Sequence, residues 1–324
     1  MPQARRIVCS APARANLIGN PSDQYGGSTL GVSLPPRAWA ALDAREPGRI
    51  DGAPEIAQAL LAQLGIERPD FGIQLATEIP RQSGIAGSTA LVVALLRAVL
   101  AWQERTLSPY ALAELARTVE RERMGITCGY SDQYLCTFGG LCHLDLRGKR
   151  FDGGGGPFAT VEDLSAEVRE LPFVVAYTGV QHSSDAVHRP IRERWLAGEP
   201  EVVAAYERVA EIGVMGKSAL QRGDWPALGR LMNENHAIQR ALGGSGPANE
   251  ALIEAALAAG ALGAKLAGAG GGGTIVALGA GLAPGALDAA LRAAGAALLV
   301  RPVLAPGVQL ELADATLPPA GGPS

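Results

Sequence analysis

Hydrophobic and polar positions alternate in short runs through the first 45 residues. The runs RRIVCSA, ANLIG, LGVSL and AWAALDA are separated by Pro, Gly and Asn, which predicts a series of short strands. The spacing becomes helical over 54–64, with Gly65 as the stop. FGIQLATEI alternates again. It runs into PRQSGIAGST and then into the apolar stretch ALVVALLRAVLAWQER, a strand, a glycine loop and a helix in succession. Ser108-Pro109 supplies the N-cap and first residue of a helix with Leu112, Leu115, Ala116 and Val119 as its apolar stripe, ending near Met124-Gly125. The loop TCGYSD leads to a short helix, QYLCTF, and Gly139-Gly140 opens the strand LCHLDL.

The second half is mainly helical. After the strand LPFVVAY, helices are expected over 184–196, with Pro190 at a first turn or a kink, after Pro200, after the N-cap Asp224, and from Pro247 to about Gly260–Gly263. A glycine run, the strand TIVAL, the helix PGALDAALRAAG and two closing strands complete the pattern. FDGGGGPFAT reads as a surface loop and LPPAGGPS as a disordered tail. This pattern divides the chain into 1–160, 161–316 and a tail, 317–324.

Composition narrows the function classes. With 48% hydrophobic and 19% charged residues the chain is neither disordered nor a coiled coil. The 28 basic and 32 acidic residues give a net charge of −4, which supplies no basic stripe for nucleic acid. The start, MPQARRIVCS, lacks the apolar core of a signal peptide, and the run around 90–102 is broken by Arg97 and too short for a bilayer. The expectation is a cytoplasmic protein without a membrane partner. The four cysteines show no C-x-x-C spacing, and Cys142-His143 has no second ligand pair at zinc spacing.

The segment from Pro80 to Ala90 carries the most chemical information. Small residues let backbone approach a polyanion, and the amides opening the next helix point at it. Ser88 and Thr89 add hydroxyls that reach a phosphate or a magnesium ion; a tight turn with a capping serine accounts for the same residues. Two other glycine motifs mislead. Gly268–Gly273 fits G-x-G-x-x-G, but a dinucleotide fingerprint needs a strand before and a helix after, whereas a helix is expected before it and TIVAL follows. Gly216-Lys217-Ser218 resembles the end of a P-loop, but Glu211 stands where its first glycine is required. Asp23 and Asp132 have ordinary turn or cap explanations, and Glu120 has a salt bridge to Arg117 or Arg123.

Taken together, these segments carry a resemblance. Ala11–Asp23, Pro80–Ala90 and Lys265–Gly273 resemble, in order, the three motifs of the GHMP small-molecule kinases. LIGNPSDQY, IPRQSGIAGS, VHRPIRERWLAG and LMNENHAIQR are similar to the glucuronokinase branch of that superfamily, and GYSDQYLCTFGG to its heptose kinases. The second motif departs from the commoner form, with Ala86 for a glycine and Gly87 for a serine.

The resemblance implies an α+β, two-domain fold: an N-terminal mixed-sheet domain and a ferredoxin-like C-terminal α/β sandwich, with ATP between them. ATP·Mg²⁺ would lie on the amides of Gly84, Ile85, Ala86, Gly87, Ser88 and Thr89, with Ser88 and Glu120 as magnesium ligands. Asp132 would accept or only orient the proton of the acceptor hydroxyl, and Arg14 would neutralise charge on the moving phosphoryl group. Asp23, Tyr25, Asp132, Gly270 and Gly271 would bind a sugar. The expected acceptor is the anomeric hydroxyl of D-glucuronate, with Arg81, Arg189, Arg192 and Arg194 as candidates to hold its carboxylate. Another sugar or small alcohol, and a silent sugar-binding protein on the same fold, are the alternatives.

Overall fold

The computed structural model describes residues 5–149, 158–168, 170–181, 184–268 and 270–319. The expected glycine loop at 151–160, Ala269 of the third motif and the end of the tail lie largely or wholly outside that range. The four short strands expected at the N-terminus are two long ones, β1 (Arg6–Ile18) and β2 (Ser28–Asp43). They pair antiparallel along almost their whole length, with register shifts at Pro12/Ala13 and Asn16/Ile18. Pro12, Pro35 and Pro36 therefore mark an irregularity within paired strands and do not end them, whereas Gly19-Asn20-Pro21 follows the end of β1.

β3 (Ile50–Asp51), α1 (Pro54–Gln63), β4 (Gly72–Thr77) and α2 (Gly87–Trp102) follow. Next come α3 (Pro109–Thr118), a π-helical turn (Val119–Arg123), α4 (Ser131–Phe138), β5 (Leu141–Asp145) and β6 (Thr160–Asp163). Ser108 caps α3 as its sequence requires, accepting from the Ala111 amide at 3.2 Å. β3 runs parallel to β4 and the other neighbours are antiparallel, which makes the first sheet mixed. α2 is buried on almost every side, from Thr89 to Leu100, because it lies at the centre of the larger core.

The second sheet holds β7 (Phe173–Tyr177), β8 (Gly263–Leu266), β9 (Thr274–Leu278) and β10 (Leu298–Val300), in the order β10-β7-β9-β8 and all antiparallel. Between β7 and β8 run α5 (Ser184–Leu196), α6 (Pro200–Gln221), α7 (Trp225–Ala241) and α8 (Pro247–Ala258). α9 (Ala286–Ala293) joins β9 to β10. This is the ferredoxin-like arrangement with extra helices in the first crossover.

Three features differ from the sequence reading. β8 is a strand where a helix was expected before the third glycine motif. The dinucleotide reading still fails, because the motif leads into β9 and no helix follows it. β6 belongs to the first sheet and begins at residue 160, so the division at 160/161 cuts through it. Finally, β11 (Gln309–Leu310) returns from the second half to pair with β1 through Cys9 and Ser10. Among the described residues, no helix is long and apolar enough to cross a membrane.

Candidate active site

The glycine segment between β4 and α2 has unusual backbone geometry. Gln82 and Ala86 hold positive φ values of 53° and 66° without being glycine, a conformation that costs energy and persists where surrounding structure enforces it. Ala86 stands at the N-cap of α2 and supplies no side-chain cap. The amides of the first turn are therefore left for an outside acceptor, at the positive end of a 16-residue helix. Gly84, Ala86, Gly87, Ser88 and Thr89 line a cavity of about 300 Å³; the side chain of Ile85 is buried. An adjoining cavity of about 480 Å³ shares Gln82, Gly87 and Ser88 and is walled by apolar Ile56, Leu75, Ile79, Leu91 and Met124.

Arg14 on β1 and Asp132 in the first turn of α4 meet in the first cavity. Arg14 Nε donates to Asp132 Oδ1 at 2.9 Å, and Nη2 lies 2.6 Å from the same oxygen. Arg14 Nη1 also donates to the Gly84 carbonyl at 2.8 Å, so one guanidinium joins the acid to the glycine loop. Burial opposes the Arg14 charge, but Asp132 outweighs it and raises the pKa. Ser131 Oγ reaches Oδ1 as well, at 3.3 Å. Among the described residues, none donates to Oδ2 of Asp132.

Asp23 places this helix. Its Oδ2 accepts from the amides of Tyr130 and Ser131 at 2.8 and 2.9 Å, which caps the start of α4 immediately before the catalytic candidate. Gly129 is required beside it, since a Cβ there would lie 2.0 Å from that oxygen. Asp23 does line the cavity, but half of its carboxylate is committed to α4.

Glu120 is buried in the π-helical turn. Its hydroxyl partner is Thr89, at 2.7 Å from Oε1, and not its neighbour Ser88; Gln133 donates to Oε2. Burial pushes its pKa up to about 7 against the lowering effect of those hydrogen bonds. Among the described residues, no Lys, Arg or His forms an ion pair with it.

Several expected ligands lie elsewhere. Tyr25 stacks on Tyr206 at 3.9 Å and tilts against Trp195, in an aromatic cluster outside the cavity wall. Gly270 and Gly271 are glycine for packing: a Cβ would lie 1.8 Å from the Gly244 carbonyl oxygen and 2.8 Å from Val187. Gly268 is the third-motif residue that lines the cavity, facing Gly84. Arg189 pairs with Asp185, which itself lines the cavity, and Arg194 pairs with Glu199; Arg81 borders the adjoining cavity. Arg192 Nη1 reaches the Gln24 carbonyl at 3.5 Å. The wall also includes residues that sequence reasoning missed: Asp185 and His188 of α5, Asn20, Gln24 and the 126–129 loop. The 185/188 spacing on a helix was the available signal.

Behind the wall, Lys265 is fully buried. Its ammonium donates to Asn20 Oδ1 at 2.5 Å and to the Leu266 carbonyl. Asn20 in turn donates to the Gly268 carbonyl at 3.3 Å, which ties the first motif to the third. Burial, with a smaller effect of Arg14, pushes the lysine pKa down to about 7.

Residues 53–140 match the N-terminal domain of the GHMP kinases and residues 217–298 match their C-terminal domain, together more than half of the chain. The chain belongs to the GHMP kinases. It is an ATP-dependent kinase with an alcohol as acceptor. Its relatives include probable glucuronokinase 2 of Arabidopsis thaliana, 28% identical over 80% of this chain and 81% of that one. Mevalonate kinase of Pyrococcus abyssi is 27% identical over 85% and 89%. Among solved structures, Lactococcus lactis galactokinase complexed with galactose superposes with a TM-score of 0.74 at 20% identity, covering 94% of this chain and 95% of that one. The chain is thus a sugar-kinase relative whose fold also serves mevalonate kinases.

Proposed function

We propose that this kinase transfers the γ-phosphoryl group of ATP to the anomeric hydroxyl of a uronic acid, D-glucuronate giving glucuronate 1-phosphate. The observation that carries the transfer is the convergence of the uncapped α2 terminus, Arg14 and Asp132 on one cavity. The apolar cavity beside the loop suits the nucleoside, and the polar one suits the acceptor. The choice of a uronic acid is supported by the relation to the Arabidopsis glucuronokinase.

The chain's own residues account for the step through positioning and charge. The amides at 87–89 hold the phosphates. Arg14, in contact with both the loop carbonyl and Asp132, stabilises negative charge as it shifts between leaving and attacking oxygens. Oδ2 of Asp132 receives or orients the acceptor hydroxyl, while Oδ1 stays fixed on Arg14. Asp23 holds the start of α4, and with it Asp132, in the wall that the phosphate loop shares.

Magnesium fits the residues present. Glu120 is a buried carboxylate without a cationic partner among the described residues, the Thr89 hydroxyl is hydrogen-bonded to it, and Ser88 lines the same cavity. A bound Mg²⁺ would neutralise phosphate charge and bring Glu120 to its ionised form. Glu120 would ligate it, with Ser88 or Thr89 beside it.

A panel of uronic acids, hexoses, heptoses and mevalonate, assayed for ADP release and followed by ³¹P and ¹³C NMR, tests the reading. A phosphate on C1 of glucuronate, at the highest kcat/KM of the panel, is the expected result. Preference for a neutral sugar or for mevalonate would overturn the uronic-acid assignment and leave the kinase assignment in place.

A further inference from the structure

The loop that leads into Asp132 is held from several directions. The Thr127 amide donates to Asp185 at 3.2 Å, and the Tyr130 and Ser131 amides donate to Asp23. The carbonyls between them face Arg117. Its Nε donates to the Gly129 carbonyl at 2.7 Å and its Nη2 to the Cys128 carbonyl at 3.4 Å. The guanidinium also lies over the Tyr130 ring, 3.7 Å from the centroid. One side chain therefore contacts Cys128, Gly129 and Tyr130, the residues directly before α4, and Asp132 is the second residue of that helix.

Arg117 differs from Asp23 and Asp185 in where it stands. Those two line the acceptor cavity, whereas Arg117 lies on α3 and is not among the described residues of the wall. Its half-buried guanidinium forms no ion pair among the described residues, and burial lowers its pKa. The charge goes to loop carbonyls and not to the salt bridge with Glu120 that the sequence allows. Glu114, three residues earlier on the same face of α3, accepts from the Tyr134 hydroxyl at 2.6 Å. α3 thus grips the chain on both sides of Asp132: the loop before it through Arg117, and the helix after it through Glu114.

We propose that Arg117 is a positioning residue for the transfer: by fixing residues 128–130 against Asp23, it sets where the Asp132 carboxylate stands relative to Arg14 and the phosphate loop. The inference rests on the reading that Asp132 receives the acceptor hydroxyl, and it holds whichever alcohol is the acceptor. Arg14 fixes one carboxylate oxygen of Asp132; Arg117 and Asp23 fix the backbone that carries it. Without Arg117, two carbonyls lose their donor and the loop can shift while Asp23 still holds the amides. A displacement of about an ångström at a reacting group costs on the order of 10²-fold in rate.

The experiment is a double-mutant cycle of Arg117→Met and Asp132→Asn in the full chain. Arg121→Met serves as the control, since Arg121 is exposed and carries the same charge four residues on. kcat and the KM for ATP are measured with the best acceptor of the substrate panel, and each variant is melted. R117M is expected to lower kcat about 10- to 100-fold and to change the KM for ATP less than about threefold. In the D132N background its further effect should be at most about threefold, because the group it positions no longer acts. R121M should keep the parental kcat. R117K keeps the charge but cannot span two carbonyls, and should fall between R117M and the parent. Equal losses from R117M in both backgrounds would reveal a general structural role and overturn the inference, as would the same loss in R121M. Parental turnover of R117M beside a slow D132N overturns the inference alone. Parental turnover of D132N removes the reading of Asp132 and the inference with it. Should R117M not fold, R117K takes its place in the cycle, with a loss of about threefold or more expected in the parent and none in D132N. Parental turnover of R117K, or equal losses in both backgrounds, would then overturn the inference.

Discussion

Asp132 meets Arg14 through a single oxygen: Oδ1 lies 2.9 Å from Nε and 2.6 Å from Nη2. The guanidinium fork spans one carboxylate oxygen and the Gly84 carbonyl, and so couples the acid on α4 to the phosphate loop. Asp132→Asn should keep the side-chain volume and lower kcat by about 10²- to 10⁴-fold, the range of a positioned acid–base group, while the KM for ATP changes less than about threefold. Arg14→Met should lower kcat by at least about 10² as well. It should also lower stability by a few kcal/mol, on the order of the cost of leaving a buried polar group or charge without its partner. Steady-state kinetics with urea unfolding checks both; equal turnover in D132N and parent would remove Asp132 from the step.

Glu120 predicts a pH dependence of metal binding. Its pKa is raised to about 7 in the folded protein, so without metal the folded state holds a proton that the unfolded chain loses near 4.5. The stability contributed by this group therefore falls as the pH rises from about 4.5 to 7. A divalent ion requires the ionised form, so the increase in Tm on adding MgCl₂ should grow from pH 5.5 to 7.5 and then level off. Glu120→Gln should abolish the pH dependence of that increase. A magnesium shift independent of both pH and Glu120 would place the metal elsewhere.

Lys265 acts in the opposite direction. It is a base whose pKa falls from 10.5 to about 7 on folding, so the unfolded state binds more protons between those values. Its contribution makes the protein more stable as pH rises from 7 towards 10.5, with the whole cost of the buried ammonium present below 7. Measured as the difference between parent and Lys265→Met, unfolding free energy should rise by about 2 kcal/mol between pH 7 and 9, at 1.36 kcal/mol per pKa unit. A flat difference would show that the lysine stays protonated across this range.

Two glycines of the third motif should respond differently to alanine. A Cβ on Gly268 would lie 2.5 Å from the Gly84 carbonyl oxygen, the group that Arg14 also holds. Gly268→Ala should shift the phosphate loop and lower kcat/KM for ATP by tenfold or more, by displacing groups about an ångström from a working geometry. Gly270 has φ +94° and packs against the Gly244 carbonyl oxygen, away from the wall. Gly270→Ala should chiefly lower Tm. Nucleotide kinetics and thermal melts on both variants distinguish these roles.

The sequence by itself determined most of the helices and the loops between them. Caps at Ser108 and Asp224, the stops at Gly65 and Gly125 and the loop before α2 are local signals, written in residues a few positions apart. The first two motifs likewise marked Arg14 and the glycine loop, and the segment GYSDQYLCTFGG marked Asp132. What tertiary structure decided were the relations between distant segments. It joined Arg14 to Asp132 across 118 positions and made Thr89, not Ser88, the partner of Glu120. It turned Tyr25 into an aromatic cluster, set His188 and Asp185 on the cavity wall, and paired Arg189 with that Asp185 and Arg194 with Glu199. Each of these depends on which face of a helix meets which neighbour. A helix turns 100° per residue, so a shift of one position changes the neighbour, and only packing of the complete chain selects it.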